Sequence, residues 1–283
     1  AFTPEAWVAA AAEHHITHAM VVPTMLGRVL DVMESTGITL PDLRHLSYGG
    51  GRMPIEVVER AMQMLPDTGF VNAYGLTETA STIAVLGPDD HRDAMSSDDP
   101  VVRRRLGSVG RPTEAIEVSI RDDLTEPVAV GEPGEIWVRG DQVSGEYVGR
   151  ESRAIDGWFP TNDGGWLDEG GYLYITGRLD DVIVRGGENI SPGEIEDVLR
   201  MHPDVADVAV VGVPSQEWGE EIAAVVVVRP DTNPDPAELA AFVRERLRST
   251  KQPTTIRIMD ELPYNETGKL LRRVVRQVLT NSD

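Results

Sequence analysis

The chain has 283 residues, 41% hydrophobic and 26% charged, an ordinary globular balance with enough length for two or more domains. It contains no cysteine, which excludes disulfides, a thiolate nucleophile and Cys-based metal sites and fits a reducing compartment. A formal net charge of −21 argues against nonspecific binding to nucleic acid or acidic membranes, since both need a basic face.

Nothing at the N-terminus resembles a signal peptide. Residues 4–15 read as a helix with Thr3 as N-cap and Pro4 in the first turn. A buried strand over 17–23, a helix over 24–35, a strand over 43–50, a helix over 53–65 and a strand over 69–75 follow. Strands alternating with helices predict an α/β unit with a parallel or mixed sheet, whose ligand crevice lies at the carboxyl ends of the strands. Two loops fall there. Gly49-Gly50-Gly51 lets a flat ligand approach backbone, although three glycines are equally the signature of a tight turn. Tyr74-Gly75-Leu76-Thr77-Glu78-Thr79 offers an aromatic face, two hydroxyls and a carboxylate, suited to a base, phosphate oxygens and a Mg2+ ion. His14 and His18 stand at the spacing of two zinc ligands on one helix face, but the helix should end near His15, which breaks that geometry. A helix-terminal histidine is well explained by the dipole.

Residues 96–105 read as a polar surface loop. From Gly107 the pattern changes to short β segments, 115–123, 126–131, 134–140 and 171–177, split by Gly and Pro turns, and predicts a small β-barrel or sheet. Asp163 lies here among aromatics and acids, where a lone aspartate is most often a turn former. The segment from Asp163 to Glu196 marks a change of pattern and is a candidate interdomain joint.

Beyond it the sequence predicts a compact α+β domain: a helix over 192–201 with Ser191 as N-cap and Glu194 at the capping-box position, strands over 204–214 and 221–230, a helix over 235–249, a strand over 254–263 and a last helix over 270–280. Lys269 follows a Gly268-containing loop that could hold it as a point charge on phosphate, or leave it an ordinary surface lysine. With Arg272, Arg273 and Arg276 it forms a basic run, which on its own reads as a solvated helix face. No apolar run approaches the roughly 18 residues that span a bilayer, and the chain reads as cytoplasmic.

The order Gly49-Gly50-Gly51, Tyr74 to Glu78, Asp163, Gly177-Arg178-Leu179-Asp180-Asp181, Gly186-Gly187-Glu188-Asn189-Ile190, Glu194-Ile195-Glu196 and Gly268-Lys269 resembles the adenylate-forming superfamily of acyl- and aryl-CoA synthetases, luciferases and peptide-synthetase adenylation domains. The resemblance covers essentially the whole chain, with one departure. The Ser/Thr/Gly-rich phosphate loop of these enzymes is absent, so the residues resemble the C-terminal portion of an acyl-CoA synthetase. The resemblance implies three parts: residues 1–95 of a large α/β domain, a β-barrel subdomain over 96–179, and a mobile α+β lid over 180–283.

The activity it implies is two-step. A fatty or aryl carboxylate attacks the α-phosphate of ATP, releasing pyrophosphate, and the CoA thiol then displaces AMP to give a thioester. Residue by residue, Gly49, Gly50, Gly51, Tyr74 and Gly75 would frame the adenine and Asn72 would meet its amino group; Thr77 would contact phosphate and Glu78 would hold Mg2+. Asp163 and Arg178 would take the ribose, Lys269 would bridge acyl carboxylate and phosphate, and Asp180 would be the hinge. Gly186, Gly187 and Trp218 would line the pantetheine channel. Two alternatives stay open, an adenylation domain that loads a carrier protein's pantetheine and a noncatalytic fragment, inactive in isolation. The reading leaves room for a homodimer and includes no nucleic-acid partner.

Overall fold

The computed structural model describes residues 2–51, 53–144, 154–265 and 270–280. Lys269, Gly268 and the stretch 145–153 therefore lie outside the described residues. The chain divides into two compact units, Ala1–Ile175 and Thr176–Asp283.

The first unit opens with α1 (Pro4–Glu13), whose N-cap Thr3 accepts a hydrogen bond from Ala6 N. Strands β1 (His18–Val21), β2 (His45–Gly49) and β3 (Gly69–Tyr74) pair in parallel, linked by α2 (Pro23–Thr36) and α3 (Ile55–Met64). Two short strands, β4 (Ala84–Leu86) and β5 (Arg111–Pro112), extend this sheet antiparallel. The helices seal it with an aliphatic core that includes Leu26, Leu30, Leu46, Val58 and Phe70, so the α/β class expected from the alternating pattern is the one observed.

Local differences from the sequence reading have physical causes. A helix, α4 (Pro88–Ser96), was invisible because only His91 and Ala94 of its residues are buried, leaving no apolar stripe. The segment expected as a surface loop contains α5 (Pro100–Arg103) and a 3-10 turn at Arg104–Gly107. Its three arginines are engaged: Arg103 pairs with Glu59, Arg104 lies 4.9 Å from the Trp166 ring centre and Arg105 lies 4.3 Å from that of Tyr172. Residues 126–131 contribute an isolated bridge rather than a strand.

The β-rich part is an open sheet, not a barrel. It has the order β6 (Glu117–Arg121), β7 (Gly134–Arg139), β8 (Phe159–Leu167), β9 (Leu173–Arg178). The β9 edge is capped instead of turning back to β6: Leu173 exchanges backbone hydrogen bonds with Val109 and Gly110, both at 2.8 Å, just ahead of β5. Ile120, Ile136, Val138 and Phe159 from this sheet pack with Ile83 and Ala84 beside the first one.

The second unit is built on β10 (Ile183–Arg185), β11 (Glu188–Ile190), β12 (Val205–Ser215), β13 (Gly219–Val228) and β14 (Thr255–Ile258). One aliphatic cluster joins the sheet to α6 (Pro192–Arg200) and α7 (Pro236–Arg246), and another joins it to Val275 and Leu279 of α8 (Arg272–Thr280). Ser191 is the N-cap residue of α6, but its hydroxyl donates to Thr176 O at 2.7 Å and makes no cap bond. Glu194 pairs with Lys251 at 2.5 Å, so the expected capping box does not form. No helix among the described residues is long and apolar enough to cross a membrane.

Candidate functional site

In the parallel pair β2–β3, Tyr48 stands opposite Asn72 and Gly49 opposite Ala73, so Gly49 and Tyr74 emerge at neighbouring carboxyl ends. Gly49 admits no side chain, since a Cβ there would lie 2.6 Å from Ala73 O. Gly50 follows at φ +77°, and Gly51 continues the bend. Asn72 is nearly buried and donates from Nδ2 to Ser108 O at 3.1 Å, tying β3 to the segment before β5.

Gly75 opens a tightly wound loop, because a Cβ at this position would fall 1.3 Å from Ser81 O. Thr77–Thr79 form one 3-10 turn, with Thr77 exposed and Glu78 half-buried, and Ala80 and Ser81 adopt left-handed backbone at φ +48° and +95°. The buried Thr79 hydroxyl accepts from Leu76 N and donates to Leu76 O. A residue the sequence reading passed over fastens the loop. Gln142 donates from Nε2 to Thr79 O at 2.8 Å and to Thr82 O at 2.7 Å, and Ser144 N reaches Glu78 O at 3.0 Å.

Asp163 is not in a turn. Glu135 pairs with Gly164 and Trp137 with Pro160, so the three residues Thr161–Asp163 stand opposite Ile136 alone. Such a bulge redirects a side chain, and Asn162 takes up the irregularity at φ +61°. The Asp163 carboxylate is 5% exposed and accepts from the Tyr74 hydroxyl at Oδ2, 2.6 Å away across 89 residues of sequence. Two widely separated motifs thus meet in the first unit.

In the second unit Arg178 ends β9, and Asp180 lies exposed in the 3-10 turn Leu179–Asp181 that follows. Gly186 and Gly187 form the two-residue turn of the β10–β11 hairpin at φ +58° and +85°, the left-handed pair that a tight hairpin requires. Trp218 backs this turn: its carbonyl accepts from Gly186 N at 2.8 Å, and its ring lies 5.2 Å from the Arg185 guanidinium, which donates to Thr250 O. The structure therefore brings Gly186, Gly187 and Trp218 together.

Beside Asp180, an open depression of about 170 Å³ is lined by Asp181, Val211, Arg272, Arg273 and Arg276. The tail arginines are not a uniformly solvated face. Arg272 makes a bidentate pair with the buried Glu196, at 2.5 and 3.1 Å, and reaches Asp181 at 3.3 Å. Burial opposes ionisation of Glu196, yet the charge and hydrogen bonds of Arg272 outweigh it and hold the carboxyl below its ordinary pKa.

Among the described residues no group of three His, Cys, Asp or Glu side chains could hold a metal. His14 follows the end of α1, His15 contacts Asp42 and His18 stacks on His45 from β1. Glu78 alone suits only a Mg2+ ion that takes its remaining ligands from substrate phosphates and water.

The sequence profile of the AMP-binding enzyme family matches residues 1–148, and that of the AMP-binding enzyme C-terminal domain matches residues 194–269. The chain is 38% identical over 274 residues to a 2-succinylbenzoate–CoA ligase of Geobacillus kaustophilus, covering 95% of the chain and 52% of that protein. It is 35% identical over 265 residues to the fatty acid–[acyl-carrier-protein] ligase ScoC of Streptomyces coeruleorubidus, covering 92% and 49%. Its fold superposes on the o-succinylbenzoate CoA synthetase of Bacillus subtilis, solved with its acyl-adenylate intermediate, with a TM-score of 0.80 and 32% identity over 100% of the chain and 54% of that structure. The chain spans about half the length of the curated relatives it matches.

Proposed function

The chain belongs to the AMP-binding enzyme family, and from that premise we propose that it supplies the nucleotide-holding and thiol-step residues of an AMP-forming acid–thiol ligase. The observation that carries the reading is the 2.6 Å contact between Tyr74 and Asp163, which joins an aromatic platform to a carboxylate able to accept from ribose hydroxyls. Gly50 and Gly51 follow Gly49 at the carboxyl end of β2, next to that of β3, where an adenine would approach backbone.

In the first step an oxygen of the substrate carboxylate attacks the α-phosphorus of ATP, and the bond to the bridging oxygen breaks to release pyrophosphate. Thr77 would contact a phosphate oxygen, and Glu78 would contribute one ligand to a magnesium ion, whose charge would offset that of the phosphates. The work is positioning and charge stabilisation. Lys269 neutralises charge where carboxylate and α-phosphate meet, and Arg178 adds a donor toward the ribose. In the second step the pantetheine thiol attacks the acyl carbon and AMP leaves. The second unit turns on Asp180 between the steps, and the Gly186-Gly187 turn with Trp218 lines the thiol's path. A turn without Cβ atoms suits that passage.

Free CoA and a carrier-protein pantetheine both fit this chemistry; the named activities of the two relatives include one of each. The acid is fatty or aryl in class. The test uses a protein that joins this chain to the additional half its relatives carry. In that protein, Lys269→Ala should abolish pyrophosphate–ATP exchange yet spare thioester formation from supplied acyl-adenylate. Equal loss of both half-reactions would overturn the division of labour, and kinetics with CoA against a phosphopantetheinylated carrier identifies the acceptor.

A further inference from the structure

We propose that Glu135 is a positioning residue for nucleotide binding, aiming the carboxylate of Asp163 through the β8 bulge. The inference rests on the reading that Asp163 takes the ribose hydroxyls. It adds a residue that neither motif contains.

A bulge that sets three residues against one leaves backbone donors without ladder partners, and each must be satisfied elsewhere. Here two side chains do so. Glu135 accepts the Asn162 N–H at Oε1, 2.9 Å away, and the Trp137 indole N–H at Oε2, 3.1 Å away. Thr161 accepts the Asp163 N–H at 3.1 Å while its own hydroxyl donates to Ile136 O at 2.7 Å.

The two clamps differ in kind. Thr161 acts from within the bulge and is buried with it. Glu135 acts from the neighbouring strand and has both oxygens occupied, so its carboxylate fixes where the bulge stands relative to β7. Its anchor is rigid: Trp137 is 3% exposed and its ring lies 4.9 Å from the Arg121 guanidinium. Alternation along β7 puts Glu135 and Trp137 on the face opposite Ile136 and Val138, so the clamp holds the bulge from the side away from the cluster those two residues join. Asn162, held by Glu135, is the residue at φ +61°, and Asp163 is the next one. With the backbone fixed on both sides, the Tyr74 hydroxyl sets the last torsion of the carboxylate.

Chemistry selects glutamate here. A carboxylate accepts from two donors at once, whereas a glutamine would place its NH2 against the indole N–H and keep only one of the two contacts. Alanine would leave the Asn162 N–H and the indole without these acceptors and free the bulge to shift. Loosened support of a binding group typically costs on the order of 10- to 100-fold in affinity for the group it aims.

The test uses the joined protein and compares calorimetric binding of ATP with that of 2′,3′-dideoxy-ATP, which lacks both ribose hydroxyls. Asp163→Ala should erase the preference for ATP. Glu135→Ala should reduce it about tenfold with little change for the dideoxy compound. Glu135→Gln should fall between, and it carries the test if the alanine variant does not fold. A Glu135 variant that weakens both nucleotides equally, or neither, overturns the positioning role. If Asp163→Ala leaves the preference intact, the ribose reading itself has failed, and the inference falls with it.

Discussion

His91 is fully buried in α4, with its Nδ1 2.7 Å from Gly87 O. A carbonyl can only accept, so Nδ1 carries the proton and Nε2 accepts from the Tyr48 hydroxyl at 2.8 Å. Burial pushes the His91 pKa down despite the Gly87 carbonyl, and burial pushes the Tyr48 pKa up, so both groups are held neutral. The sign follows from linkage. Below the ordinary histidine pKa of about 6.5 the unfolded chain takes up a proton that the folded chain resists, so stability falls as the solution is acidified. Urea unfolding should therefore show stability falling between pH 7 and pH 5.5. The Tyr48→Phe/His91→Leu double variant should lose that increment of pH dependence. An unchanged slope in the double variant would show that His91 is not its source. None of this was legible in the sequence, where His91 sits in a run of aspartates resembling a surface turn.

At the scale of elements, the β10–β11 hairpin separates two effects that a pair of glycines usually confounds. Both need left-handed backbone, so alanine at either position should cost about 1–2 kcal/mol in strain. Only at Gly186 would the new Cβ also meet the Trp218 ring, at 2.9 Å, whereas Gly187 faces open space. Gly186→Ala should therefore destabilise the second unit by about 1–3 kcal/mol more than Gly187→Ala in denaturant titrations. Adding Trp218→Ala should recover part of the difference. Equal effects would mean that the ring yields freely.

The Glu196–Arg272 pair joins α6 to α8, and Glu196 also accepts from Val210 N at 2.8 Å on β12. Glu196→Gln should cost about 1.5–3 kcal/mol, because it removes the bidentate carboxylate and leaves Arg272 with Asp181 and the Val210 carbonyl. Because the folded carboxyl has a lowered pKa, its contribution is present above about pH 4.5 and is lost as pH falls through the folded value. Thermal unfolding of the variant at neutral pH checks the first claim, and a shallower acid limb checks the second.

These elements also show what a sequence can carry. Alternating helices and apolar strands announced the α/β and the α+β unit, because both depend on local periodicity. The β8 bulge did not show: Thr161–Asp163 with two following glycines looks like a turn, and only the pairing with Ile136 makes it a strand irregularity. Gln142 and Glu135 were likewise silent, since a clamp is defined by what lies across from it. The open sheet was missed as a barrel because strand patterns do not reveal which edge a distant segment, here Val109–Gly110, will cover.

On the scale of the whole molecule, the two units hold different chemistry. The first contains Gly49–Gly51, Tyr74, Glu78 and Asp163; the second contains Arg178, Asp180 and the glycine hairpin. A net charge of −21 surrounds both. Under the proposed function, anionic nucleotides would be captured by local donors and a metal ion rather than by the long-range field. Association with ATP should accelerate as salt screens the acidic surface, up to ionic strengths where the Debye length nears about 8 Å.

The most direct measurement is exchange of labelled pyrophosphate into ATP by the joined protein, run with a panel of fatty, aryl and amino acids and without acid. Exchange should appear only when a carboxylic acid is present and should fall by about 100-fold in Asp163→Ala. Exchange that needs no acid, ATP cleavage to ADP, or an Asp163→Ala protein as active as its parent would contradict adenylation at this site.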